Sequence, residues 1–173
     1  SKISDVIGII GTDSIMKYKS PNIEKWFGWL PEDLIGTNGF QNVHPDDIER
    51  IQQNFTNLIE SDGSTITVEY RYRCKDGSFK PIELTATNLT KDPLIKGVLL
   101  NYHDITERKQ VDQKLFQSEK QYRMLFKSMI DGVCLHEIVY DTGKAINYRI
   151  LDANPKYEQI LQFKKEDIVG KLA

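Results

Sequence analysis

The sequence predicts an α+β domain: two strands, a set of short helices, three more strands and a long exit helix. Three observations predict it. Ile66, Val68, Tyr70, Tyr72 and Cys74 alternate with Thr67, Glu69, Arg71 and Arg73, the period of an antiparallel strand with one buried face. Ile48, Ile51, Phe55, Leu58 and Ile59 give one apolar face to a helix opened by Val43-His44-Pro45-Asp46-Asp47. Pro45 suits its first position, and the two aspartates favour its positive end. Finally, Gly97-Val98-Leu99-Leu100-Asn101-Tyr102-His103-Asp104-Ile105-Thr106-Glu107-Arg108-Lys109 passes from an apolar to a charged run without Gly or Pro. A buried strand there feeds directly into a helix, and neither Gly nor Pro interrupts the chain as far as Lys127.

The remaining elements follow in order. Val6-Ile7-Gly8-Ile9-Ile10 is a short apolar strand, Gly11-Thr12-Asp13-Ser14 a turn, and residues 15–18 the returning strand. Ser20 reads as an N-cap with Pro21 at the first helical position, opening a helix that carries Ile23, Trp26 and Phe27 and stops at Gly28-Trp29-Leu30. Pro31-Glu32-Asp33-Leu34 is a second helical turn ended by Gly36, and Asp62-Gly63 ends the longer helix. Lys75-Asp76-Gly77-Ser78 is a hairpin turn, Phe79 to Leu89 a strand, and Asp92-Pro93 a turn. At the strand-to-helix junction, Asp104 and Thr106 both offer side-chain oxygens to the orphan N–H groups of a first helical turn, and Glu107 suits its dipole.

Asp104-Ile105-Thr106-Glu107-Arg108-Lys109 resembles the Asp-Ile-Thr-Glu-Arg-Lys ending of PAS domains in bacterial and archaeal sensor proteins. Gly36, His44-Pro45-Asp46-Asp47 and Tyr70-Arg71-Tyr72-Arg73-Cys74-Lys75-Asp76-Gly77-Ser78 fall in the order and spacing of that family, so the resemblance covers about residues 4 to 108. It implies a five-stranded antiparallel sheet with the last strand central and short helices on one face. It also implies that Asp104 and Thr106, together with Arg108, tie the last strand to the exit helix as a signal relay. A simple helix cap is the plainer reading of the same residues.

In the exit helix, Val111, Leu115, Ser118, Tyr122, Leu125 and Met129 recur at alternating intervals of four and three, a heptad seam broken only at Ser118. A parallel dimeric coiled coil is expected; a helix packed on its own sheet is the alternative. The chain then repeats itself at an offset of 134 residues. Pro21, Glu24, Glu32, Asp33 and Gly36 recur as Pro155, Glu158, Glu166, Asp167 and Gly170. Residues 1–106 are therefore read as a PAS domain, 107–128 as a helical linker and 129–173 as the truncated start of a second PAS domain. Residues 133–140 and 145–151 would be its first two strands, around Asp141-Thr142-Gly143. An incomplete sheet leaves an unpaired edge, so a partner chain or the first domain is expected to order it.

Composition excludes several classes. A net charge of −2 with both signs interspersed favours neither nucleic acid nor direct membrane contact. No apolar run approaches the roughly 20 residues that span a bilayer, and no signal peptide opens the chain. The chain starts at Ser1 without an initiator Met and reads as an excised fragment of a larger parent. Cys74 and Cys134 have no zinc-like spacing, so a reducing, cytoplasmic setting is expected for this segment, although the parent could be membrane-tethered.

Catalytic and cofactor motifs do not emerge. His44, His103 and His136 are scattered, and no Gly-x-Ser-x-Gly, Walker loop or His-Cys constellation is present. Haem-binding PAS domains use a histidine on the long helix, which here has none. Light-oxygen-voltage PAS domains carry a reactive cysteine just before that helix, and residues 37–43 contain none. Haem bound in that way and a flavin–cysteine adduct are argued against, and no cofactor is predicted. Phe40, Val43, Ile51, Phe55, Tyr70, Tyr72 and Leu84 form a candidate pocket for an unknown small ligand, against the plainer reading of core packing. The chain is therefore read as a non-enzymatic sensory and dimerisation module. The resemblance implies a histidine kinase of a phosphorelay, or a cyclic-di-nucleotide cyclase, as parent. A ligand receptor and a pure scaffold are the alternatives.

Overall fold

In the computed structural model, which describes residues 5–172, the first strand pair is β1 (Val6–Ile10) and β2 (Met16–Lys19). Three short-to-long helices follow: α1 (Ile23–Phe27), α2 (Pro31–Leu34) and α3 (Pro45–Ile59). Then come β3 (Thr65–Arg73), β4 (Phe79–Leu89), β5 (Gly97–Asp104) and α4 (Thr106–Ser128). The sheet runs β2-β1-β5-β4-β3 and every neighbouring pair is antiparallel, so the last strand is central, as expected. Gly97 opens β5 because a Cβ there would stand 2.6 Å from the Ile10 carbonyl oxygen of β1.

One face of this sheet carries Val6, Ile10, Val98, Leu100, Tyr102, Ile82, Leu84, Ala86, Tyr70 and Tyr72, all buried with Ile23, Phe27, Leu34, Ile51 and Leu58 of the helices. Two polar anchors fix α3 against it. At its start, the Asp47 carboxylate accepts from the Arg71 backbone N–H and Nε, both at 3.0 Å, and from Nη2 at 3.1 Å. At its end, the Asn88 amide is fully buried and donates to the carbonyls of Leu58, Ile59 and Ser61. The Asn88 carbonyl accepts from the N–H and hydroxyl of Thr90. All of that amide's hydrogen-bonding capacity is spent on backbone and hydroxyl partners that would otherwise be orphaned.

Two local expectations are corrected. Ser20 does not cap a helix beginning at Pro21; α1 begins at Ile23 with Asn22 as its N-cap. The Ser20 hydroxyl instead accepts from the Ile7 N–H at 2.8 Å, and the Ser20 N–H donates back to the Ile7 carbonyl. Its oxygen is committed to strand β1, so the helix starts two residues later. In β2 a bulge shifts the register, pairing Gly8 with Lys19 and Ile9 with Tyr18 but Ile10 with Met16. Met16 and Lys19, three residues apart, therefore both face the core.

The chain divides into two compact units at Val111 and Asp112. The second holds most of α4, then β6 (Cys134–Asp141), β7 (Lys144–Ala153), α5 (Pro155–Leu161) and α6 (Lys165–Ile168). β6 and β7 form a hairpin closed by Thr142 and Gly143, both at positive φ. The internal repeat extends to individual hydrogen bonds. Met16 N–H to Thr37 carbonyl recurs as Ile150 to Lys171, and Gly36 N–H to Met16 carbonyl as Gly170 to Ile150. Ser20 is matched by Asn154, whose side chain accepts from Val133 N–H as Ser20 does from Ile7. Within this unit Ile138, Tyr140, Ile146, Tyr148, Ile160 and Phe163 remain exposed, since the repeat has here only the elements before its long helix.

Candidate functional site

The space between α3 and the sheet holds a cavity of about 30 Å³. Phe40, Val43, Ile51, Phe55, Tyr70 and Leu84 of the predicted pocket line it, joined by Ile10, Leu58, Ala86, Leu100 and Tyr102. Tyr72 does not. Its ring packs edge-on beside that of Tyr102 (centroids 5.9 Å apart), against Phe27 (4.8 Å) and the Asn42 amide. Phe40 and Phe55 meet edge-on at 5.5 Å, both only partly buried, and with Asn54 they form the side of the cavity nearest solvent. Leu100 and Tyr102 belong to β5, so the wall of the cavity and the strand that leaves the domain are one piece of chain.

Tyr102 also organises the sheet beyond the cavity. Gly8, on the neighbouring strand, presents no side chain, and the Tyr102 ring lies across it within 3.4 Å of where a Cβ would stand. On the far side the Lys19 amine sits 3.2 Å from the ring centroid. Lys19 is 2% exposed, and its Nζ has no hydrogen-bond acceptor. Burial pushes its pKa well below the ordinary lysine value. Sequence reasoning missed this residue, because a lysine closing an edge strand ordinarily faces solvent.

At the other end of β5 the predicted relay residues come together. The Asp104 carboxylate accepts from the Thr106 N–H at 2.8 Å and from Lys80 Nζ at 3.3 Å. Lys80 Nζ donates in addition to the Trp26 carbonyl of α1 at 2.8 Å. Burial raises the Asp104 pKa, but hydrogen bonding from Thr106 and Lys80 outweighs it and holds the carboxyl below its usual range. Ile105 alone separates β5 from α4; it is buried, and its N–H donates to the Pro81 carbonyl.

Arg108 and Lys109 form the second half of this junction. Glu69 of β3 and Glu83 of β4 stand directly opposite one another, a like-charge pair that is unfavourable by itself. Arg108 bridges them, 2.5 Å from Glu69 and 3.4 Å from Glu83, and Lys109 reaches Glu69 at 2.6 Å. The Lys109 contact lowers the Glu69 pKa, with burial opposing it only in part. These side chains are about half exposed, so each pair contributes at most about 1 kcal/mol. Glu69, Glu83, Lys80 and Lys109 were not singled out in the sequence; the signal available was the strand alternation, which puts both glutamates on the outer face.

Along α4, Val111, Leu115, Ser118, Tyr122 and Leu125 are all exposed, as are Phe116 and Met124. Met129, assigned to the seam, lies just past the last helical residue, Ser128. Among the described residues no helix is long and apolar enough to cross a membrane.

Comparison with known proteins agrees with this architecture. A family profile described as PAS fold matches residues 16–96, and one described as PAS domain matches residues 120–173. The sensor histidine kinase TmoS of Ectopseudomonas mendocina is 24% identical over 153 residues, covering 85% of this chain. Sporulation kinase E of Bacillus subtilis is 29% identical over 103 residues, covering 60%. The chain spans only 15% and 12% of the lengths of these two relatives. Among solved structures, a sensory box histidine kinase/response regulator from Burkholderia thailandensis is 25% identical with a TM-score of 0.52, covering 70% of this chain and 92% of that one. A PAS domain from Colwellia psychrerythraea is 25% identical with a TM-score of 0.53, covering 60% and 87%.

Proposed function

The chain belongs to the PAS family, as one sensory domain followed by the opening of a second, and from that premise we propose that it is the input and relay segment of a sensor histidine kinase. A change in the cavity between α3 and the sheet moves β5, and β5 moves α4, which carries the change towards the output domain. One observation supports this above the others: Leu100 and Tyr102 line the cavity on the same strand that passes into α4 after the single residue Ile105. Asp104 sets the angle at that point, and Arg108 and Lys109 hold the first helical turn to β3 and β4.

The exposed apolar seam of α4 supports a further part of the proposal, self-association of two copies through this helix. Val111, Leu115, Tyr122 and Leu125 are exposed, and heptad spacing would bury them against the same positions of a second copy. The exposed apolar side chains of the second unit would be covered in the same assembly.

The test is Asp104→Ala in the full-length parent. Thermal unfolding of the purified segment should fall by about 1–2 kcal/mol, the scale of a lost cap. Autophosphorylation should at the same time stop responding to the stimulus. A variant that folds and signals like the parent overturns the relay.

A further inference from the structure

Lys19 closes β2 at the corner where the chain turns towards α1, and its amine is buried there without a hydrogen-bond acceptor. From β5 the amine faces the Tyr102 ring at 3.2 Å, and from β3 the Tyr72 ring at 5.7 Å. On β1 the lysine stem runs beside Gly8, which brings no side chain. The charged groups nearby in the chain are engaged or exposed elsewhere. Asp5 meets Asn101 and His103, the Lys17 amine donates to the Lys96 carbonyl, and Glu24 and Lys25 of α1 are exposed. Among the described residues no charged group acts on the Lys19 amine, and burial alone lowers its pKa. The corner itself does not require an amine: at the repeat offset of 134, Ala153 stands in the place of Lys19 and is as deeply buried.

The two ends of β2 are held differently. β2 is an edge strand of four residues. Its Met16 end is fastened on two sides, by pairing with Ile10 of β1 and by backbone bonds to Gly36 and Thr37. Its Lys19 end is fastened towards β1: Ser20 exchanges two 2.8 Å bonds with Ile7, and the Asn22 amide donates to the Asp5 carbonyl. A proton on the amine adds a charge that needs water, and the end of an edge strand reaches water by parting from its neighbour. We propose that Lys19 is a proton-operated latch on the edge of the first domain: with the amine neutral the end of β2 is closed on β1, and proton uptake opens that corner while the rest of the sheet stays folded. The closed corner binds the proton less tightly than the open one. Each unit by which pH falls from the ordinary lysine value of 10.5 therefore favours opening about tenfold, down to the depressed pKa of the closed corner and no further. Opening takes the amine away from the Tyr102 ring, so the proton acts on β5 from the edge strand, a route separate from the cavity under α3.

Amide hydrogen exchange of the whole 173-residue chain, read residue by residue by NMR from pH 7 to pH 9, tests the latch. Protection of the Ile7 and Ser20 amides should rise about tenfold per pH unit in the parent chain and stay level in Lys19→Met. At every pH it should lie below the protection of the Leu100 amide, because the central strand exchanges only when the domain opens as a whole. The Gly77 amide, in the β3–β4 turn at the other edge of the sheet, should keep level protection in both chains. Lysine labelled with carbon-13 at Cε gives a reading that does not depend on exchange: one resonance, missing from Lys19→Met, should titrate well below the others. The latch is overturned if all lysine resonances titrate together near the ordinary value, or if protection at Ile7 and Ser20 is the same at pH 7 and pH 9 in the parent chain. It is overturned equally if Lys19→Met keeps the pH dependence, or if Ile7 and Ser20 are protected as strongly as Leu100, which would make the opening global. The Asp104 experiment is independent of each of these results.

Discussion

Replacing Lys19 with methionine should stabilise the first unit. The lysine stem is packed in the core and its amine meets only aromatic faces, Tyr102 at 3.2 Å and Tyr72 at 5.7 Å from their centroids. Burying an unpaired polar group costs about 1–3 kcal/mol in proteins. The amine–ring contact returns about 0.5–1 kcal/mol of that. Methionine keeps the volume and length of the stem, fills the site without strain and places its sulfur against the same rings. The net gain is about 1–2 kcal/mol, or about 5–10 °C in Tm for a domain of this size. Both tryptophans of the chain, Trp26 and Trp29, lie in the first unit, so urea unfolding followed by their fluorescence reports on it alone. The dependence on pH supplies a second check. The folded state binds the Lys19 proton less tightly than the unfolded state, so stability rises with pH from the depressed folded pKa towards the ordinary lysine value of 10.5. The advantage of Lys19→Met should therefore shrink between pH 7 and pH 10. A variant less stable than the parent, or an advantage that does not change with pH, would refute the account of an unpaired buried amine.

Four other outcomes follow from the packing. Asn88→Ala strands the carbonyls at the end of α3 and should cost about 2–4 kcal/mol in the same urea assay. Asp47→Asn should flatten the acid limb of the stability curve: hydrogen bonding to Arg71 depresses the Asp47 pKa, so the stability it supplies is present above the usual aspartate value and is lost as pH falls below it. Leu115→Asp should leave the tryptophan-detected unfolding of the first unit unchanged while shifting light-scattering mass from dimer to monomer, since Leu115 is 67% exposed within the chain. Gly97→Ala should cost more than the same change at Gly77, where nothing lies within 4 Å of the added carbon but φ is positive; circular dichroism melts of the two variants rank them.

The strand and helix order was legible because each element of the first unit buries one face, and burial writes its own period into the chain. The β3 alternation and the α3 stripe are examples, and β4 begins and ends where the residues predicted. The repeat at offset 134 was legible down to Gly36 and Gly170, both at positive φ, where a side chain would be strained. What stayed hidden depends on side chains reaching across elements. A bulge in β2 turned Lys19 inward, and nothing local marks a bulge. Ser20 had two possible uses for one oxygen, and only the adjacent β1 strand decides between them. Tyr72 shares the face of Tyr70, but its ring direction follows from Phe27 and Asn42, which lie far away in sequence. Asn88, at the end of β4, serves the end of a helix about thirty residues earlier.

α3 is pinned at both ends, by Asp47 to Arg71 on β3 and by Asn88 on β4, with the cavity under its middle turns at Ile51, Asn54, Phe55 and Leu58. A beam fixed at two supports cannot slide to admit a guest. It either bows outward, against its own hydrogen-bond ladder, or presses on the surface below. That surface is the middle of the sheet, where Leu100 and Tyr102 of β5 lie. Because Tyr102 spans Gly8 to reach Lys19, the proposed displacement there would reach the edge strand as well as the exit helix. In the proposed relay, stiffness in the helix would convert a change of volume into a movement of the sheet.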